Sequence, residues 1–256
     1  MKKHDNISVT MSEEQHSAAS AFDSRGIDEY AGQVAGEIQK LVKSMQKTVK
    51  RIADTAGAVA LLCITSPLFM IIGLAVKLTS SGEVFYKQTR IGFRGRPFTI
   101  YKFRTMRTSG RNEQDHQKYI RYLLKEGIAA EKQAESISSY IEFIEDHITP
   151  VGKVLRATSL DELPQLYNIL KGDMSFVGPR PHPEYEVAEY KQWYRNRLSV
   201  KPGLTGWSKL KIRMTPENYE QSILFDLWYV RNWNIFLDLR IVLATVPVVF
   251  FMKDAH

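Results

Sequence analysis

The apolar positions of this chain change their spacing several times, and each change marks a different element. Ile27, Tyr30, Val34, Ile38, Leu41, Met45, Val49 and Ile52 recur every three or four residues. That spacing predicts an amphipathic helix over 27–49, with lysines on its other face. Such a helix can lie on a membrane surface, pair with a partner helix or pack on its own domain. Residues 1–26 are polar and rich in Ser and Ala, and predict a disordered tail. After the helix the pattern closes into a continuous apolar run, Ala56 to Val76, with no charge in 21 residues. A bilayer span takes roughly 20 such residues, so this run predicts contact with a membrane. It lies too deep in the chain, and lacks the small-residue cleavage site, to be a signal peptide.

Two features bear on whether the run crosses the bilayer or turns back. Ser66-Pro67 sits in its middle, where proline removes an intrahelical hydrogen bond and crowds the preceding turn. Lys40, Lys43, Lys47, Lys50 and Arg51 lie upstream, and Lys77, Lys87, Arg90, Arg94 and Arg96 downstream. Basic flanks favour the cytoplasmic side, and here both flanks carry the signal. Residues 50–78 are therefore expected to form a re-entrant helix-break-helix hairpin with Ser66 and Pro67 as its hinge. A kinked transmembrane helix is the alternative.

Beyond the hairpin, EVFYKQTRIG and FTIYKFRTM read as strands joined by the turn-like stretch FRGRP. Residues 112–148 return to helical spacing, first around Tyr119, Ile120, Leu123 and Leu124, then through Ile137, Ile141, Ile144 and Ile148. The last third mixes short helices with the loops GPRPHP and KPGLTGW. It finishes in WNIFLDLRIVLATVPVVFFM, whose uncharged part, Ile241 to Met252, is too short to span a bilayer. That part suits an interfacial helix or a buried one.

Composition narrows the chemistry. The chain carries 35 Lys and Arg against 28 Asp and Glu, a formal net charge of +7, which calls for an anionic partner. Nucleic acid is the first candidate, and the long uncharged run argues against it as the main one. With Cys63 as its single cysteine, the chain can build neither an internal disulfide nor a thiolate zinc site. The six histidines show no His-x-x-x-His spacing.

The richest stretch is RATSLDELPQLYNILKG, residues 156–172. Ser159-x-x-Glu162 matches a capping box and Gly172 a helix stop, which by themselves require only a well-formed helix. Pro164 is tolerated only in a first turn, so the helix can start there and leave Asp161-Glu162 just ahead of its positive end. A carboxylate so placed is expected to be ionised and able to attack, and Glu162 beside it offers hard oxygens to Mg²⁺. Lys102, Arg104, Arg156, Arg180 and Lys201 supply cations from separate loops and strand ends. Prolines flank Arg180 and hold its direction. Gly203 and Gly206 allow a close backbone approach to a ligand. Cations converging on carboxylates plus a metal match a pyrophosphate.

KRIAD, the Ser-Pro in an apolar run, RPFTIYKFRTM, LRATSLDELPQLYNILKGDMSFVGPRP, KPGLTGW and DLWYVRNWNIFLDL occur in that order. Together they closely resemble the bacterial sugar transferase family, the monotopic polyprenyl-phosphate phosphoglycosyl transferases, from about Lys50 to the C-terminus. The resemblance implies an α/β (α+β) fold. This is a compact, mostly helical catalytic domain over 79–256 with a small sheet, resting on the cytoplasmic face of the inner membrane by the hairpin and amphipathic interfacial helices. It implies that Asp161 is the nucleophile that attacks a UDP-sugar and releases UMP, and that undecaprenyl phosphate then takes the phosphosugar. Asp161 and Glu162 become the catalytic pair and the Mg²⁺ ligands, Glu162 as the metal-associated partner. Lys102, Arg104, Arg156, Arg180 and Lys201 become candidate substrate-binding residues. Residues 110–146 look like a helical insertion relative to the minimal members, and the first 49 residues have no counterpart. Homo-oligomers and downstream glycosyltransferases are the protein partners such a role admits. A membrane-anchored basic scaffold of a polysaccharide assembly complex, without catalysis, is the competing reading.

Overall fold

The computed structural model describes residues 24–107, 146–212 and 218–250. The chain divides into two units, Met1–Thr48 and Val49–His256. Helix α1, Ser24–Thr79, runs through both. In the first unit the predicted apolar stripe is exposed at Val34, Ile38, Leu41 and Met45. The two helical patterns expected within 112–148 fall almost wholly outside the described residues, as does most of the expected disordered tail.

The second unit begins on α1, and its packing follows the helical period. Asp54, Ala58, Ile72 and Val76 are buried on one face, whereas Ile64 and Met70 on the other are 74% and 75% exposed. The helix is long and apolar enough to cross a membrane. The expected break at Ser66-Pro67 is not a gap in the helix. Pro67 has no N–H to offer the Cys63 carbonyl, and the Ser66 hydroxyl donates to that carbonyl instead, at 2.9 Å. Both ends of this segment pack on the same unit. Near its start Lys50 bonds Asp238 Oδ2 (2.6 Å) and the Val177 carbonyl. Arg51 donates to the carbonyls of Ile169 and Leu170, and Asp54 accepts the Phe176 N–H. Near its end Ile72 and Val76 join a core cluster with Phe103 and Leu155.

The two predicted strands form an antiparallel hairpin, β1 (Phe85–Ile91) and β2 (Pro97–Phe103), with Tyr86 opposite Lys102. The turn between them uses Arg94 and Gly95 at positive φ. After α2 (Pro150–Ala157) and α3 (Gln165–Lys171) comes a second pair, β3 (Ser175–Val177) parallel to β4 (Gly203–Thr205). Helix α4 (Glu184–Ala188) lies between those strands in sequence, and α5 (Trp207–Lys211), α6 (Tyr219–Asn232) and α7 (Ile235–Phe250) follow. The described fold is thus mostly helical with two small sheets.

The glycines of GPRP and KPGLTG meet each other. A Cβ on Gly203 would sit 2.1 Å from Gly178 N, and one on Gly206 2.3 Å from Gly178 O. Their absent side chains let two backbone segments cross beside β3 and β4. Helix α7 combines both readings of the apolar tail. Asp238 and Ile241 are buried against the unit, while Phe236, Leu239, Leu243 and Val246 form an exposed apolar face.

Candidate active site

The site grows from β2. Its outer edge is held by Asn168 of α3, fully buried, which accepts the Tyr101 N–H at 3.2 Å and donates to the Thr99 carbonyl at 2.7 Å. That double bond fixes β2 against α3, and with it Lys102 against the turn that precedes α3. Past the end of β2, Thr105 anchors α2. Its carbonyl accepts the Thr149 N–H, Thr149 Oγ1 caps the helix through Gly152 N (2.9 Å), and Thr105 Oγ1 accepts from Arg156 Nε at 3.0 Å.

Between α2 and α3 the chain turns through Ser159, whose φ of 55° is left-handed. A non-glycine residue there costs about 1–2 kcal/mol, a strain the surrounding packing holds in place. The Ser159 side chain makes no capping bond, so Ser159-x-x-Glu162 is not a capping box. Instead Leu160–Glu162 form a single 3-10 turn, and Pro164 precedes the first residue of α3. Gly172 closes α3 at φ 89°, as expected of a helix stop.

This turn presents two carboxylates to a shared set of cations. Lys102 Nζ lies 3.0 Å from Glu162 Oε1 and 3.8 Å from Asp161 Oδ2. Lys209 Nζ lies 2.8 Å from Glu162 Oε2. Asp161 is only 9% exposed. Burial pushes its carboxyl pKa above the usual range, with Lys102 pulling the other way and Glu162 adding to the rise. The expectation of a carboxylate eased into its charged form by a helix terminus is therefore corrected. Desolvation outweighs it, and the result is a poorly solvated carboxyl group. Burial would raise Glu162 as well, but Lys102 and Lys209 overcome it and hold that carboxyl well below the ordinary range.

Not every expected cation joins this group. Lys102 does, and Arg156 and Arg180 act on it through charge, Arg156 on Asp161 and Arg180 on Glu162. Arg104 is buried and directed elsewhere, donating to the carbonyls of Ser80 and Ser81 beyond the end of α1. Lys201 stands at the far end of α3, its Nζ near Gly172 beside Arg51. Burial and then the Arg51 charge push its pKa down. Lys209 was not legible, because nothing in WSKLK marks one lysine over another. Gln165 was missed too; it is buried, with its Nε2 lacking an acceptor within the described structure.

A second, fully buried network stands behind Arg180. Arg197 pairs with Asp226, donates to the Arg180 carbonyl at 2.9 Å and to Tyr190 Oη at 2.6 Å, and reaches the His182 ring. Asp226 also accepts from Ser208 at 2.6 Å, and Glu186 accepts from Tyr219 at 2.7 Å. Burial, with the Arg197 charge second, lowers the His182 pKa to about 4. An unfolded histidine titrates near 6.5, so on acidification the unfolded chain takes up that proton first. Stability present above pH 6.5 is therefore lost as pH falls toward 4. In detergent solution the thermal midpoint should drop across that window, and His182→Gln should flatten the drop.

Asp161 and Glu162 can also serve a metal. Among the described residues no group of three His, Cys, Asp or Glu forms a cage. A pair of adjacent carboxylates suits Mg²⁺, which completes its hard-oxygen shell with water and substrate phosphates.

Comparison with known proteins places the chain in a family. Residues 45–252 match the family model described as bacterial sugar transferase. The UDP-glucose:undecaprenyl-phosphate glucose-1-phosphate transferase of Escherichia coli K12 is 36% identical over 222 residues, 84% of this chain and 43% of that protein. The uncharacterized sugar transferase EpsL of Bacillus subtilis 168 is 39% identical, covering 77% of this chain and 85% of its own length. The exopolysaccharide production protein ExoY of Sinorhizobium fredii is 37% identical, with 81% and 88% covered. The chain thus spans less than half of the Escherichia coli relative and most of the other two.

Proposed function

The chain belongs to the bacterial sugar transferase family, and from that membership we propose that it moves a sugar 1-phosphate from a UDP-sugar to undecaprenyl phosphate, releasing UMP. The observation that carries this reading is the desolvated Asp161 carboxylate beside Glu162, with Lys102 and Lys209 bracketing the pair. Asp161 Oδ attacks the phosphorus that bears the sugar. A bond forms from the carboxylate oxygen to that phosphorus, and the bond from the phosphorus to the bridging oxygen breaks, so that oxygen leaves with UMP. An oxygen of undecaprenyl phosphate then attacks the same phosphorus and returns the carboxylate. Splitting the transfer in this way lets a soluble nucleotide sugar and a lipid visit one site in turn.

Lys102 and Arg156 pull against the burial of Asp161, toward its ionised form, and meet the charge that gathers on the phosphoryl oxygens. Arg180 approaches from the GPRP loop. Mg²⁺ bound at Glu162 and Asp161 would supply further charge neutralisation to the diphosphate. Residues 50–78 are read as entering and leaving the cytoplasmic leaflet through a bend at Pro67, with the Ser66 bond keeping the helix joined there, because both ends carry basic flanks and both pack on the same unit. The exposed apolar face of α7 is read as resting on that leaflet.

UDP-glucose is the first donor to test, since the Escherichia coli relative is named for it, and the name of the ExoY relative points to an exopolysaccharide as the product. The test is a UMP-release screen over UDP-sugars with undecaprenyl phosphate and Mg²⁺. Release beyond one UMP per active site that requires both a donor and the lipid, with parallel initial-rate lines, is expected. No UMP from any donor would leave the scaffold reading in its place.

A further inference from the structure

Glu162 holds a contradiction that the transferase reading leaves open. Both of its carboxylate oxygens are occupied, Oε1 by Lys102 at 3.0 Å and Oε2 by Lys209 at 2.8 Å. A divalent cation at Glu162 would stand close to both ammonium groups, and their repulsion favours the departure of one of them. The two lysines are not equally free to do so. Lys102 sits within the β1–β2 ladder, beside the strand edge that Asn168 secures, and its side chain is 21% exposed. Its Nζ also faces Asp161, 3.8 Å away, so it remains useful where it stands.

Lys209 is different in each respect. It stands on the five-residue helix α5, and its side chain is 42% exposed. Its neighbour on the same helix, Lys211, is placed over the Trp207 ring, 4.6 Å from the centroid. Lys209 is the ammonium that can leave Glu162 at low cost, because long, half-exposed lysine side chains reorient readily and exposed pairs contribute little to stability. A released ammonium in this place would find the diphosphate of an incoming donor as its next anion.

We propose that Lys209 is an exchangeable counter-ion: it neutralises Glu162 while the site lacks donor, and passes to the donor's diphosphate when Glu162 turns to a divalent cation. This deepens the transferase reading and rests on it for the identity of the diphosphate. The donor's two negative charges arrive with a dication, so the exchange leaves the net charge of the pocket unchanged. It also makes Lys209 a substrate-binding residue that competes with metal in the absence of substrate.

The test uses the full-length protein in detergent, with Mn²⁺ as the probe, comparing wild type, Lys209→Gln and Lys209→Arg. Electron paramagnetic resonance counts free against bound Mn²⁺ without nucleotide. Lys209→Gln should bind Mn²⁺ roughly tenfold more tightly than wild type, because Glu162 has lost a competitor. The same variant should raise KM for the UDP-sugar roughly tenfold and change kcat much less, because one phosphate contact is gone. Lys209→Arg should restore the wild-type KM. Unchanged Mn²⁺ affinity, or an unchanged KM, in Lys209→Gln would overturn the proposal and leave an ordinary surface ion pair. The nucleotide-free arm stands apart from catalysis. A wild-type protein that releases no UMP defeats the transferase reading, whereas unaltered metal binding in the variant defeats only the exchange.

Discussion

Asp161→Asn is expected to reduce sugar-phosphate transfer by about 10³-fold or more, with the protein still folded and still recovered with membranes. The substitution keeps the side chain's shape and replaces the anionic carboxylate with a neutral amide, whose oxygen is too weak a nucleophile to bond phosphorus. Nothing in the fold requires the charge. Among the described residues the contact of Asp161 with a cation is the 3.8 Å ion pair to Lys102, too long for a hydrogen bond, and burial already disfavours its ionised form. A neutral amide in that place relieves a desolvated carboxylate, so thermal stability should hold or rise slightly. The measurement is UMP release alongside a thermal melt of the same preparation. Turnover near the wild-type rate would remove Asp161 from the chemistry. A collapsed melt would contradict the claim that its place in the 3-10 turn is held by neighbouring packing.

Arg197→Met should carry the largest stability loss among single substitutions in the catalytic unit. Arg197 and Asp226 are 2% and 1% exposed at their side chains, and the arginine holds Asp226, Tyr190 and the Arg180 carbonyl together. Removing it leaves a buried carboxylate without its counter-ion, held by the Ser208 hydroxyl and the Arg180 backbone N–H. Breaking one side of such a pair costs about 3–5 kcal/mol. Replacing both partners, in Arg197→Met with Asp226→Leu, leaves no orphaned charge and should lose less than Arg197→Met alone. Denaturant midpoints in a fixed detergent measure the difference. A double variant that loses the sum of the two single losses would mean the pair is not coupled. Activity supplies a second reading. Since Arg197 holds the backbone that carries Arg180, the double variant should regain stability without regaining the wild-type KM.

The contrast between these two sites shows what local pattern could report. The hairpin β1–β2 was legible because its residues pair with near neighbours across a short turn, and the helix α1 because its apolar spacing persists for several turns. The start of α3 was legible from Pro164, since a single residue type restricts its own backbone. The pair β3 and β4 was not. Each has three residues, and their parallel pairing joins segments held together by Gly178, Gly203 and Gly206, a closeness no periodicity records. Ser66-Pro67 was read as a break because proline removes a hydrogen bond. The Ser66 hydroxyl supplies a substitute at the Cys63 carbonyl, so helical bonding continues.

At the site, the residues carried by motif and the residues gathered by folding overlap only in part. Lys102, Asp161 and Glu162 come together as the motifs implied, and Arg156 and Arg180 lie within electrostatic reach. Arg104 and Lys201 stand in equally suggestive strings and are placed elsewhere, one beside the end of α1 and one near the end of α3. Burial was the quantity the sequence could not supply. An Asp-Glu pair ahead of a helix suggested two stabilised anions, and the fold gave the two opposite environments. Asp161 is desolvated and raised, whereas Glu162 is clamped between two lysines and lowered. That division separates an attacking oxygen from a charge-bearing partner, and it arises from three-dimensional placement alone.

Mass spectrometry of protein quenched after exposure to UDP-sugar without lipid acceptor tests the covalent claim most directly. The account predicts that the peptide containing Asp161 gains the mass of one bound sugar phosphate, matched by one UMP released per active site, and that undecaprenyl phosphate then discharges it. An unmodified peptide from a preparation that turns over once the lipid is added would contradict it, and would mean that donor and acceptor react in a single encounter.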